Sequence, residues 1–191
     1  PLEVIFTPDE ETGFGMENFP LSRIQSKYCY TVDGGNEGII ETECFNAYRV
    51  EIQITGRLVH LGQARGRMIN PITLAQNLLC MLPPAESPEA TDGRLGYFCP
   101  IEIKGSLQGV EMAILLRDFD MPSMHRRLEA IRTAAGYLES LYPGSKLNIR
   151  EIEQYSNMKS YLEEESELLN KLKQAIRQTG MEPICTIIRG G

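Results

Sequence analysis

Residues 48–55 read Tyr-Arg-Val-Glu-Ile-Gln-Ile-Thr, YRVEIQIT. Tyr48, Val50, Ile52 and Ile54 alternate with Arg49, Glu51, Gln53 and Thr55. Successive side chains of an extended chain point to opposite faces, so this is a half-buried strand whose apolar side needs a cover. Asn70-Pro71 then offers a cap followed by proline at the first helical position, and Ile72, Ala75, Leu79 and Leu82 recur at helical spacing until Pro83-Pro84. Leu95, Tyr97, Cys99, Ile101 and Ile103 alternate again. The glycine-bracketed turn from Gly105 to Gly109 leads into Val110, Met112, Ile114 and Leu116, which predicts a hairpin. A helix is expected from about Pro122 to Tyr142, with Met124, Leu128, Ile131, Ala135 and Leu138 as its buried stripe. A last strand from Leu147 to Ile152 completes the order strand-helix-strand-strand-helix-strand. That order predicts an α+β fold: a ferredoxin-like four-stranded antiparallel sheet with both helices on one face.

The flanks behave differently. Val4 to Thr7 and Tyr28 to Val32 read as strands, the second ending in Asp33-Gly34-Gly35. Residues 160–191 read as one helix and one strand, with Ser160 and Glu163 as a capping box and Gly180 as the stop. These pieces suggest an α/β domain interrupted by a compact insert, and divide the chain into 1–46, 47–155 and 156–191. The opening at Pro1 and the closing Gly190-Gly191 lead to the expectation of a piece of a longer protein.

The chain has 191 residues, with 42% hydrophobic and 24% charged side chains, the composition of an ordinary globular domain. A net charge of -7 without a basic block argues against nucleic acid as a partner. No apolar run is long enough to span a bilayer, so no membrane partner is expected. Five scattered cysteines without metal-type spacing read as free thiols in a reducing compartment, the cytoplasm.

Asp9-Glu10-Glu11 and Asp33 each follow a strand-like run. Ligands of open α/β sheets gather at the carboxyl ends of strands, and carboxylates from two such ends can share a metal site. A glutamate beside a ligand glutamate can act as general base. By itself an acidic triplet reads first as a solvated turn. Arg117 stands on the strand face opposite Val110, Met112, Ile114 and Leu116, looking toward a cleft or pairing with Asp118 or Glu51. His125, beside Arg126-Arg127 on the long helix, is read as structural.

FTPDEETG (6–13), YTVDGG (30–35), HLGQARGRMIN (60–70), PPAESPEATDG (83–93), LLRDFD (115–120) and IIRGG (187–191) occur in order along essentially the whole chain. Together they resemble the dinuclear-zinc aminopeptidase and carboxypeptidase family, and within it the tripeptide aminopeptidases. The resemblance implies a zinc catalytic domain interrupted by a ferredoxin-like lid that also serves dimerisation. It implies Glu10 as general base, Glu11 and Asp33 as ligands of the two zinc ions, and His60 as the group that polarises the scissile carbonyl or stabilises its oxyanion. It implies Arg117 and Arg189 as anchors of the peptide carboxylate, with Asn70 as a further polar contact.

The sequence departs from that family at Leu61, where proline is usual. The family's remaining metal ligands correspond to positions outside residues 1–191, so this chain is expected to hold an incomplete site and to be inactive alone. A homodimer is expected through the edge strand at about Leu95 to Lys104, since an unpaired edge invites association. The competing reading is a ferredoxin-like small-molecule-binding or regulatory module, because such folds host many functions.

Overall fold

The computed structural model describes residues 2–8, 19–32, 34–164 and 166–190. Four strands form the main sheet: β2 (Asn46–Thr55), β3 (Tyr97–Ser106), β4 (Gly109–Asp118) and β5 (Lys146–Tyr155). Their spatial order is β3-β4-β2-β5, every pair antiparallel. This is the ferredoxin-like arrangement read from the alternation.

The helices α1 (Pro71–Met81) and α2 (Met121–Leu141) cover one face. Val50, Ile52 and Ile54 of β2 are paired with Ile114, Met112 and Val110 of β4 and enclosed by Leu74, Leu78, Met124, Leu128 and Ile131. Asn70 Oδ1 accepts from Ile72 N at 2.9 Å and Asp120 Oδ2 from Ser123 N at 2.9 Å, so each helix begins on a side-chain cap. At the β3 edge the register shifts between Pro100 and Glu102, where proline has no amide hydrogen to donate to a ladder. No helix among the described residues is long and apolar enough to cross a membrane.

A second, parallel pair joins β1 (Ile39–Glu43) to β6 (Ile184–Ile187). This corrects the reading of the amino-terminal flank. Among the described residues Val4–Thr7 and Tyr28–Val32 are not strands, and Phe6 and Val32 are 90% and 94% exposed. Branched and aromatic residues favour strands only where a neighbouring strand and a packing surface exist, and Ile39–Glu43 has both. The carboxyl-terminal flank carries helical stretches α3 (Lys159–Glu164) and α4 (Ser166–Gln178), and Gly180, at φ 86°, follows α4. Ser160, read as a cap, lies inside α3, and just ahead of that helix Asn157 Oδ1 accepts from Lys159 N at 3.0 Å.

Two short connectors, residues 44–45 and 156–158, tie the flanks to the sandwich of sheet and helices. The buried Asn46 donates through Nδ2 to Asp118 O and Phe119 O, both at 3.2 Å, and its Oδ1 accepts from Asn157 N at 2.9 Å. Glu43, 7% exposed, lies beside them. Arg94 donates to both of its carboxylate oxygens, Asn157 Nδ2 donates to it at 3.4 Å, and Lys159 Nζ is 3.8 Å away. Those contacts, led by Arg94, hold the Glu43 carboxyl below the usual carboxylate range.

Ile52→Ala removes a side chain that is 1% exposed at the centre of the sheet. It is expected to cost about 2–5 kcal/mol in urea unfolding. Glu43 has its pKa lowered by folding, so its contribution is present above the ordinary value of 4.5 and fades as pH falls through the folded value. Unfolding curves for the native chain and for Glu43→Gln should therefore differ most near neutrality and converge on acidification below that value. A constant gap down to the acid limit would remove this account of Glu43.

Candidate functional site

His60, Asn70, Arg117 and Arg189 fall in the described residues, whereas Glu10, Glu11 and Asp33 lie outside them. Among the described residues no three His, Cys, Asp or Glu side chains come together to hold a metal ion. The described residues therefore offer no metal cradle of their own.

His60 belongs to a loop that leaves the far end of β2. Arg57 and Ile69 close its base, exchanging N–H···O bonds of 2.9 Å in both directions. Gly56 permits the closure, since a Cβ there would lie 2.0 Å from Ile69 O. His60 begins a single turn, Leu61–Gln63, and its Nδ1 accepts from Gly62 N at 3.2 Å. An accepting Nδ1 carries no proton, so in the neutral ring Nε2 is the donor, on an exposed side chain. Asn70 sits at the base of the same loop, with its Oδ1 engaged in capping α1.

Arg117 is at the other end, on the sheet face away from the helices. Its backbone stands between Ala47 and Tyr97. Its Nη1 donates to Leu116 O at 2.9 Å and Tyr48 O at 3.4 Å, and the guanidinium lies 5.4 Å from the Tyr155 ring centre. It pairs with neither residue offered by the sequence pattern. Asp118 is bound by Arg127 at 2.9 Å, and Glu51 by Arg49 and Arg150. Gly96 is needed beside this pair, because a Cβ would lie 2.3 Å from Asp118 Oδ2.

Arg189 reaches the same end from beyond β6. Its Nη1 donates to Gly93 O and Leu95 O, both at 2.9 Å, and its Nη2 to Thr91 Oγ1 at 2.9 Å and Thr91 O at 3.2 Å. Both arms of the fork that the sequence assigned to a substrate carboxylate are closed on this loop. The guanidinium also stacks on Phe45 and Tyr97, at 5.3 Å and 5.7 Å from the ring centres.

The fold thus sorts the candidates by position along the sheet. Arg117 and Arg189 share the Asn46 end, with Tyr97 between them. His60 and Asn70 share the Thr55 end. The ten residues of β2 that separate the two ends span roughly 30 Å at strand rise. Arg94 and Glu43 are missing from the sequence-based set; a lone Arg in a glycine-rich loop and a Glu in an unrecognised strand carry no local signal of partnership.

Peptidase T from Bacillus subtilis (strain 168) is 38% identical over 190 residues, covering 100% of this chain and 46% of that protein. The crystal structure of aminopeptidase PepT from Bacillus cereus ATCC 10987 superposes with a TM-score of 0.71 at 19% identity, over 97% of this chain and 50% of that one. A tripeptidase structure from Staphylococcus aureus subsp. aureus mu50 gives a TM-score of 0.76 at 14% identity, over 97% and 49%. The chain spans about half the length of the curated relatives it matches. A family model described as the peptidase dimerisation domain matches residues 42–182, which takes in the whole sandwich and both connectors. On that match, this chain belongs to the peptidase dimerisation domain family.

Proposed function

We propose that this chain is the dimerisation lid, with adjoining catalytic-domain pieces, of a tripeptide aminopeptidase acting in the cytoplasm. The observation that carries the reading is the identity with peptidase T, which runs through the flanks as well as the sandwich. Residues 47–155 then form the lid, and 1–46 and 156–191 belong to the catalytic domain. Glu10 is the base and Glu11 and Asp33 are zinc ligands, on the motifs FTPDEETG and YTVDGG. Two zinc ions would supply Lewis-acid activation of water and substrate, with further ligands from the rest of the longer protein. The cytoplasm suits five cysteines that are free of disulfides.

The described residues orient the peptide. His60 Nε2–H is the donor suited to the scissile carbonyl oxygen, and Arg117 the guanidinium suited to the peptide carboxylate. Asn70 lies beside the His60 loop as a second polar contact. Because His60 and Arg117 are about a strand length apart in one chain, a site that uses both draws them from two copies. The homodimer is therefore part of the site.

The exposed edge of β3 is the proposed contact. Ile101 and Ile103 are 45% and 55% exposed there. A two-fold antiparallel pairing centred on Ile103 sets Glu102 of each copy opposite Lys104 of the other, which neutralises both. Sedimentation equilibrium should find a dimer, and Ile103→Asp should give a monomer; a monomeric native chain would overturn this contact.

Assays on the longer protein test the function. It should release the amino-terminal residue of a tripeptide, while the 191-residue chain alone should not. His60→Ala and Arg117→Ala should each lower kcat/KM by about 10²–10³-fold. Mixing and re-equilibrating the two variants should restore up to about a quarter of native activity, because half of the dimers then contain one intact site. An active native enzyme with no recovery on mixing would reject the shared site alone. Absence of tripeptide hydrolysis would reject the peptidase reading and favour a binding module.

A further inference from the structure

The strands of the main sheet carry three arginines, Arg49, Arg117 and Arg150, all on the face away from the helices. Two of them are neutralised in place: Arg49 pairs with Glu51 and Glu102, and Arg150 with Glu51. Arg117 has no carboxylate partner among the described residues. Its Nη1 is engaged with Leu116 O and Tyr48 O, whereas its Nε and Nη2 have no hydrogen bond among the described residues. A guanidinium grips a carboxylate through two adjacent N–H groups along one edge, and Nε with Nη2 is such an edge.

The contact that remains is aromatic. The Arg117 guanidinium lies 5.4 Å from the centre of the Tyr155 ring, although β2 separates the two strands. Two strand spacings put their backbones about 10 Å apart. The residue between them, paired with both, is Ala47, and its short side chain leaves room for the two to meet above it. A register shift supplies the ring. Tyr48 pairs with Glu153 but Ala47 with Tyr155, so Gln154 is the extra residue of a β-bulge. Strict alternation would put Gln154 on the face of Arg117 and turn Tyr155 to the helix side. Burial raises the Tyr155 phenol above its ordinary value of 10.0, and the Arg117 charge only partly offsets that, so the ring is neutral at neutral pH. A carboxylate in its place would compete with an incoming anion. A neutral ring attracts the guanidinium through its face and leaves the charge and the edge available.

We propose that Tyr155 is a positioning residue, whose ring holds Arg117 so that the Nε–Nη2 edge takes the carboxylate of the peptide's last residue. Tyr155 acts through Arg117, and the two backbone carbonyls on Nη1 fix the other side of the same guanidinium. The proposal rests on the peptidase reading and deepens it.

The test is tripeptide kinetics on the longer protein. Tyr155→Leu and Tyr155→Met, both of useful bulk, should each raise KM about tenfold and leave kcat within about twofold of native. Tyr155→Phe keeps the ring and should return KM to within about twofold of native. In an Arg117→Ala background, Tyr155→Leu should change kcat/KM by no more than about twofold, because the group it positions is gone. Equal losses with and without Arg117 would mark a merely structural ring and overturn the proposal. A Tyr155→Phe enzyme as impaired as Tyr155→Leu would overturn it too. An unchanged KM in Tyr155→Leu and Tyr155→Met would overturn it and leave the peptidase reading standing. A native protein that hydrolyses no tripeptide would overturn that reading and this proposal together.

Discussion

Val50, Ile52 and Ile54 are 0–1% exposed, flanked by β4 and β5 in the sheet and roofed by two helices. Every other placement in the sandwich follows from covering that face. With the even-numbered residues of β2 turned inward, Arg49, Glu51 and Gln53 must stand on the opposite face. There Arg49 and Arg150 meet Glu51, and Glu102 meets Lys104. The same inward face requires the stripes of α1 and α2, and a slip of one residue would put isoleucines in water and charges in the core.

The sheet has two ends with different business. At the Thr55 end the chain makes a projecting loop, closed at its base by a two-way backbone bond and carrying an exposed His60. At the Asn46 end it makes a polar and aromatic joint around Asn46, Glu43 and Phe45, all buried. A side chain spans only a few ångströms and cannot cross the length of a strand. Residues from both ends can therefore meet on one ligand only through symmetry, which links the exposed β3 edge to the chemistry proposed for His60 and Arg117.

The joint illustrates how polar groups are buried at tolerable cost. No buried side-chain nitrogen or oxygen among the described residues lacks a hydrogen-bond partner. Glu43 receives a bidentate guanidinium, and Asn46 and Asn157 use both ends of their amides. Such a network is directional, so removing one member leaves a desolvated partner behind.

The sandwich was legible in the sequence because period-two and period-3.6 patterns report burial directly, and the cap Asn70-Pro71 is a local signal. Helix limits differed from the expected ones by a residue. The flank was misread because its apolar runs look alike: Val4–Thr7, Tyr28–Val32 and Ile39–Glu43 all suit an extended chain, and only the presence of β6 as a neighbour selects the third. His60 and Arg117 were singled out by their motifs, yet nothing local says that a strand length separates them. The partnership of Arg94 with Glu43 and the closure of Arg189 on residues 91–95 are likewise invisible in one dimension. Burial patterns are properties of a segment and can be read from it; pairings between distant segments are properties of the folded chain, decided by which surfaces remain once the core has closed.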